Sequence, residues 1–191
     1  TVMVCGPGLG LNAATRALVA DLVRRCPLPL VLDADGLNAV AGTSLLRERA
    51  APTVVTPHPG EMSRLLGVPT ATIQADRVSA ARELARRDGV VVVLKGARTL
   101  VCAPNGMVSI CPAGNPGMAS GGMGDALAGV LGALLAQGLP PFEAACLAVF
   151  LHASAADAAA ARGGEVGLVA RDVLAALRPT LARLQGRTLD G

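Results

Sequence analysis

The run VVVVL, Val90–Leu94, restricts the fold of this chain more than any other feature. It is apolar throughout, without the polar alternation of a half-exposed strand, and all but its last residue are β-branched. Such a strand is covered on both faces, and strands of that kind belong to parallel sheets sandwiched between helices. Val2–Cys5, Leu30–Leu32 and Val54–Val55 are further apolar runs, each followed by a loop and a stretch of helical period. The matching helices are expected at Asn12–Arg25, Leu37–Ala41, Met62–Leu66 and Ile73–Arg87. The last has Thr72 as its N-cap and closes at Asp88-Gly89. Strand, loop and helix alternate four times, predicting an α/β fold: a three-layer αβα sandwich with a mostly parallel central sheet. TLVCAPNGMVSIC then reads as a hairpin turning on Asn105-Gly106. Three more helices are expected near Gly124–Gln137, Pro141–Ala161 and Leu168–Leu184.

With 191 residues, 52% of them hydrophobic, the chain suits one domain with a sizeable core. Aromatic residues make up 1%, so that core is built from Val, Leu and Ala. Charge is scattered and the net value is only +3, which argues against nucleic acid as a partner. The five cysteines, Cys5, Cys26, Cys102, Cys111 and Cys146, are widely spaced with no C-x-x-C. That pattern suits reduced, mostly buried thiols in a cytoplasmic protein. No signal peptide stands out, and no apolar run is read as long enough to span a bilayer.

The chemistry gathers in loops that follow the expected strands: GPGLG, DADGLN, TPHPGE and LKGART. In open α/β sheets ligands bind at the carboxyl ends of strands. The stretch GNPGMASGGMGDAL, from Gly114 to Leu127, packs five glycines ahead of one acid, Asp125, where a loop enters a helix. Helix N-termini expose unpaired N–H groups and partial positive charge, so phosphate is the natural guest. An acid in that first turn can take a proton from a hydroxyl while the neighbouring amides hold charge on a phosphoryl group. The bland alternative is a helix-capping Asp behind a flexible loop. There is no Walker A signature.

Lys95, the only lysine in the chain, ends the VVVVL strand and could reach a phosphate as a point charge or simply sit in solvent. GPGLG lacks a full G-x-G-x-x-G and reads as a tight turn or a ligand loop. His58 stands between two prolines, which fix its direction toward a ligand or leave it a surface residue. His152, in an apolar helical stretch, reads as a satisfied packing residue. Asp33, Asp35 and Glu61 are candidate partners for Mg²⁺-bound water, or caps and turn acids.

NPGMASGGMGDALAG, TPHPGEMSRLLG, LKGART and GPGLG, in that relation, resemble the ADP- or ATP-dependent NAD(P)H-hydrate dehydratases of the ribokinase-like superfamily, almost from end to end of the chain. The resemblance implies a carbon–oxygen lyase that returns (6S)-NADHX or NADPHX to NADH or NADPH. A nucleotide phosphorylates the hydrate hydroxyl, and phosphate is then eliminated. It implies Asp125 as catalytic base and the backbone of Gly122, Met123 and Gly124 as anion hole. Gly10, His58 and Asp125 become hydrate-binding positions. Lys95, Gly96, Ala97, Arg98, Thr99 and Gly124 become nucleotide-binding positions. Glu61 becomes a contact to Mg²⁺ through water. ADP or ATP with Mg²⁺ is the implied co-substrate, and a homo-oligomer, commonly a tetramer, the implied assembly.

Two departures stand out. Ser120 replaces the usual Thr. Family members also carry strands ahead of GPGLG, so residues 1–191 read as one N-terminally incomplete domain with an apolar sheet edge. Alternatives are a small-molecule kinase of the hydroxyethylthiazole or hydroxymethylpyrimidine type, or a non-catalytic ADP-binding fragment.

Overall fold

The computed structural model describes residues 1–186. Six strands form one sheet in simple sequential order, β1 to β6. Strands β1 (Met3–Cys5), β2 (Leu30–Leu32), β3 (Thr53–Val55) and β4 (Val91–Leu94) run parallel. Strands β5 (Leu100–Cys102) and β6 (Val108–Ile110) extend the sheet as the expected antiparallel hairpin.

The apolar strands owe their unbroken pattern to cover on both faces. Leu30, Leu32, Val55, Val92, Leu94, Leu100 and Cys102 point into one core. That core lies under helices α1 (Ala13–Arg25), α2 (Ala34–Val40), α3 (Pro59–Leu66), α4 (Thr70–Ala75) and α5 (Arg77–Asp88). Val31, Val54, Val91, Val93 and Val101 point the other way, into a core closed by α6 (Met123–Ala136) and α7 (Pro141–Gly163). A third, smaller core joins α7 to α8 (Ala170–Leu184). The expected αβα sandwich is therefore present.

Three expectations need correction. The helix expected over Ile73–Arg87 is broken at Asp76, whose φ of −146° is extended, and Thr72 lies inside the shorter α4 instead of capping a long helix. Asp76 instead caps α5, its side chain accepting from Ser79 N–H at 2.9 Å. The second helix begins at Ala34, earlier than Leu37, because the chain turns directly out of β2. Finally, α7 has 23 residues and a mean hydropathy of 1.5, long and apolar enough by length and composition to cross a membrane. Its apolar surface faces protein: 56% of that stretch is buried against the sheet, α6 and α8.

At the β1 edge, Val4, Leu9, Leu11 and Leu18 are exposed. Helix α6 crosses this edge at Gly132, where a Cβ would lie 2.5 Å from the Val4 side chain. The cysteines are free; Cys5, Cys102 and Cys111 are buried, and Cys26 and Cys146 half-buried.

Candidate active site at the carboxyl end of the sheet

The loops after β1, β2, β3 and β4 meet at one end of the sheet, joined by the N-terminus of α6. Asp33 follows β2 and occupies the N-cap position of α2, yet its side chain makes no capping bond. Ala34 takes a positive φ of 47°, costly for a residue with a Cβ, and such strain tends to collect at functional sites. The Asp33 carboxylate, 1% exposed, instead accepts a hydrogen bond from Lys95 Nζ at 2.6 Å. Lys95 leaves β4 with its backbone N–H donated to Pro57 O at 2.8 Å, which ties the β3 and β4 loops together. Its side chain is 20% exposed, so it is not a solvated strand-end lysine. Glu61 Oε2 lies 3.7 Å from the same ammonium. Over this cluster sits Gly124, where a Cβ would be 3.4 Å from Lys95 Nζ and 3.5 Å from Asp33 Oδ2.

GPGLG packs against the same β2 loop. Gly6 has a φ of 140°, and a Cβ there would lie 1.7 Å from Asp33 O, so only glycine allows β1 to pass this close to the β2 loop. Gly10 N–H donates to Asp35 Oδ2 at 2.8 Å. Asp35 is thus a loop anchor.

Helix α6 begins at Gly122, in the left-handed region with φ 81°, and among the described residues no side chain caps its first turn. The amides of that turn, including those of Met123 and Gly124, belong to the set that a helix leaves without internal partners. Asp125 lies in it and is exposed. The Met123 side chain is buried in the third core and pins the turn. The preceding loop is far from slack. Asp157 of α7 accepts from Gly114 N–H and from Asn115 Nδ2, each at 2.8 Å. Ser120 Oγ donates to Leu168 O at 3.0 Å.

The LKGART loop is shaped by Arg77 at the start of α5. Its guanidinium donates to Ala97 O at 2.6 Å, Leu94 O at 3.1 Å and Lys95 O at 3.4 Å. Burial lowers the pKa of this arginine from its ordinary value. Gly96 and Arg98 take positive φ values of 142° and 52°, and Thr99 Oγ1 donates to Gly96 O at 3.0 Å. Gly96, Ala97 and Arg98 lie exposed at the rim of the site.

His58 is built into the fold more firmly than a loop residue between prolines implies. It is the N-cap of α3: Nδ1 accepts from Gly60 N–H at 2.9 Å, while Glu61 Oε2 accepts from His58 N–H at 2.7 Å. That is a capping box with histidine in the usual Ser/Thr position. Glu61 is thereby buried and engaged, its Oε1 also 3.4 Å from His58 Nε2. Among the described residues no three His, Cys, Asp or Glu side chains are grouped to hold a metal ion. Asp33, Asp35 and Glu61 each commit one carboxylate oxygen to a protein partner: Lys95, the Gly10 amide and the His58 amide. His152 is 4% exposed, and among the described residues its Nε2 has no hydrogen-bond partner, so the packing residue is buried without the expected polar contact. Desolvation pushes its pKa down to about 4.

Arg77 and Asp157 escape a reading of the sequence, because each is a single polar residue on a helix far in sequence from the loop it holds. Asp157 does interrupt the alanine-rich stretch of α7, and that isolation was the available signal.

The sheet order and paired helix layers are those of the ribokinase-like sandwich. A ribokinase-like superfamily protein of Enterococcus faecalis superposes with a TM-score of 0.78 at 28% identity, covering 94% of this chain and 62% of that one. The chain belongs to the NAD(P)H-hydrate dehydratase family, whose model matches residues 1–178. A bifunctional NAD(P)H-hydrate repair enzyme of Moorella thermoacetica is 47% identical over 185 residues, 96% of this chain and 35% of the relative. An ADP-dependent (S)-NAD(P)H-hydrate dehydratase of Neisseria meningitidis is 43% identical over 93% of this chain and 61% of its own length. The Bacillus subtilis ADP/ATP-dependent NAD(P)H-hydrate dehydratase, co-crystallised with ATP and Mg²⁺, superposes with a TM-score of 0.87 at 34% identity, covering 95% of this chain and 64% of that one. The chain therefore spans about a third of the bifunctional relatives and under two thirds of the single-function one.

Proposed function

We propose that the chain carries the dehydratase activity for which its relatives are named: nucleotide-dependent return of hydrated NADH or NADPH to the reduced cofactor. One observation supports this most directly. The first turn of α6, uncapped among the described residues and carrying the exposed Asp125, lies against the pair of buried Asp33 and half-buried Lys95. Phosphate arriving there meets free amides and a fixed cation, and a hydroxyl beside it meets a base.

In this reading Asp125 takes the hydroxyl proton of the hydrate as its oxygen attacks the terminal phosphorus of the nucleotide. The phosphorus–oxygen bond to the leaving nucleotide breaks. Gly122, Met123 and Gly124 present the amides that hold the transferring group, and the chain mainly positions groups and balances charge. The phosphate ester is a better leaving group than the hydroxyl. Its carbon–oxygen bond breaks with electrons from the ring nitrogen, a proton leaves the neighbouring carbon, and the dihydropyridine is restored. The exposed rim of Gly96, Ala97 and Arg98, with the half-buried Lys95 and Thr99 on either side, is proposed to take the adenine nucleotide, and Gly10 and His58 to border the hydrate. The name of the Neisseria relative favours ADP over ATP. Mg²⁺ carried by the nucleotide would offset phosphate charge, with Glu61 near it only through water. A homo-oligomer, a tetramer by resemblance, and a cytoplasmic setting suited to five free cysteines complete the reading.

The test is spectroscopic. Protein, Mg²⁺, ADP or ATP and NADHX are mixed, and recovery of NADH absorbance is followed with AMP or ADP release. Recovery matched by nucleotide turnover is expected. A stable phosphate ester on a vitamin precursor, with no NADH recovered, would overturn the assignment in favour of a kinase. ADP binding without any turnover would leave a nucleotide-binding module.

A further inference from the structure

We infer that Asp33 is a positioning residue for Lys95, fixing its ammonium beneath Gly124 where it can meet an incoming phosphate. The inference rests on the reading above, in which the first turn of α6 receives the nucleotide phosphates. Four observations carry it. The Asp33 side chain forgoes the capping bond that its place ahead of α2 offers. It does so in a turn strained at Ala34. It is 1% exposed, and Lys95 Nζ, at 2.6 Å, is the hydrogen-bond partner its carboxylate has among the described residues. The pair lies where the absent Cβ of Gly124 would touch both charged groups, at 3.4 Å and 3.5 Å.

Charge explains the need for such a partner. A helix N-terminus is electropositive and repels a cation. An unpaired Lys95 would swing away from α6, toward solvent or toward Glu61, 3.7 Å off. The buried carboxylate holds it in place before any phosphate arrives, so little reorganisation remains when one does. Glu61 is the more distant partner, and its Oε2 is shared with His58 N–H at 2.7 Å.

Lys95 is the only lysine, which makes the test clean. The full chain and its Asp33→Asn variant are treated with an amine-acylating reagent, and the Lys95 peptide is followed by mass spectrometry with and without ADP and Mg²⁺. ADP affinity is measured by calorimetry. Asp33→Asn is expected to label Lys95 about tenfold faster without nucleotide and to bind ADP about tenfold more weakly, the scale of one hydrogen bond to a charged group. Equal labelling of the two proteins without nucleotide overturns the Asp33 assignment. Faster labelling with unchanged ADP affinity overturns the positioning role and leaves a purely structural pair. Absence of ADP protection in the unsubstituted chain overturns the phosphate reading itself, and so separates the two failures. Should Asp33→Asn not fold, Asp33→Glu decides: it keeps the charge but displaces the ammonium, so unchanged ADP affinity in that variant refutes the proposal.

Discussion

Asp157 and Asn115 meet side chain to side chain at 2.8 Å, and the other Asp157 oxygen accepts from Gly114 N–H at the same distance. One carboxylate on α7 therefore holds the point where the glycine-rich loop begins, forty-odd residues away in sequence. The loop needs that hold because its glycines supply no packing of their own, and Gly117 lies so near the following segment that a Cβ would be 2.4 Å from Glu165 O.

Replacing Asp157 with Ala is expected to remove both bonds, cost about 1–3 kcal/mol of stability and weaken nucleotide binding as the loop loosens. Urea unfolding and calorimetry check both parts. Unchanged stability would show that the loop is held by other contacts.

Asp125→Asn is expected to abolish turnover while leaving ADP affinity within about twofold, since it removes a base without removing bulk and the residue is exposed. Single-turnover assay beside calorimetry separates the two. A near-normal rate would remove Asp125 from the role of base.

Arg77→Met keeps the aliphatic stem but strips the fork that gathers the carbonyls of Leu94, Lys95 and Ala97. A rise in the nucleotide KM larger than any fall in kcat is expected. Arg77→Lys should fail to restore it, because an ammonium cannot span the three acceptors as a planar guanidinium does. Full rescue by lysine would mean that charge alone matters.

His152 predicts an acid limb to stability. Its folded pKa, about 4, lies below the ordinary histidine value of 6.5, so the unfolded chain binds the proton more readily. The stabilising effect of the neutral ring is present above pH 6.5 and is lost as pH falls toward 4. Between pH 7 and pH 5 the loss from this group is expected to be about 2 kcal/mol. His152→Leu should flatten that part of the curve in urea unfolding. An equal slope in both proteins would mean that the folded ring takes up its proton as readily as the unfolded chain does.

The layers of this fold were legible because strands covered on both faces must be apolar throughout, and Val90–Leu94 shows that plainly. The break at Asp76 was not, since apolar spacing continues across it and neither Gly nor Pro marks it. Gly124, Lys95 and Glu61 were all singled out from sequence, and the structure brings them to one place. What sequence left open was how each is occupied. His58 hid a capping box, because histidine seldom stands where Ser or Thr is expected, although Pro59 and Glu61 mark the helix start on either side of Gly60. Asp33 read as a partner for Mg²⁺-bound water, a cap or a turn acid, and only the sheet order, which puts β4 next to β3 and one strand from β2, shows that a lysine 62 residues away claims it.

The valine face of the sheet has one more consequence, for synthesis. Val31, Val54, Val91, Val93 and Val101 are all made before the helices that cover them, which begin at Met123 and Pro141. A nascent chain leaving the ribosome thus carries a bare, sticky sheet surface until its last third emerges. Slow translation or early termination beyond β6 therefore yields a product bound for chaperones or aggregates, and the alanine-rich α7 acts as the closing lid of folding as well as the support of the glycine-rich loop.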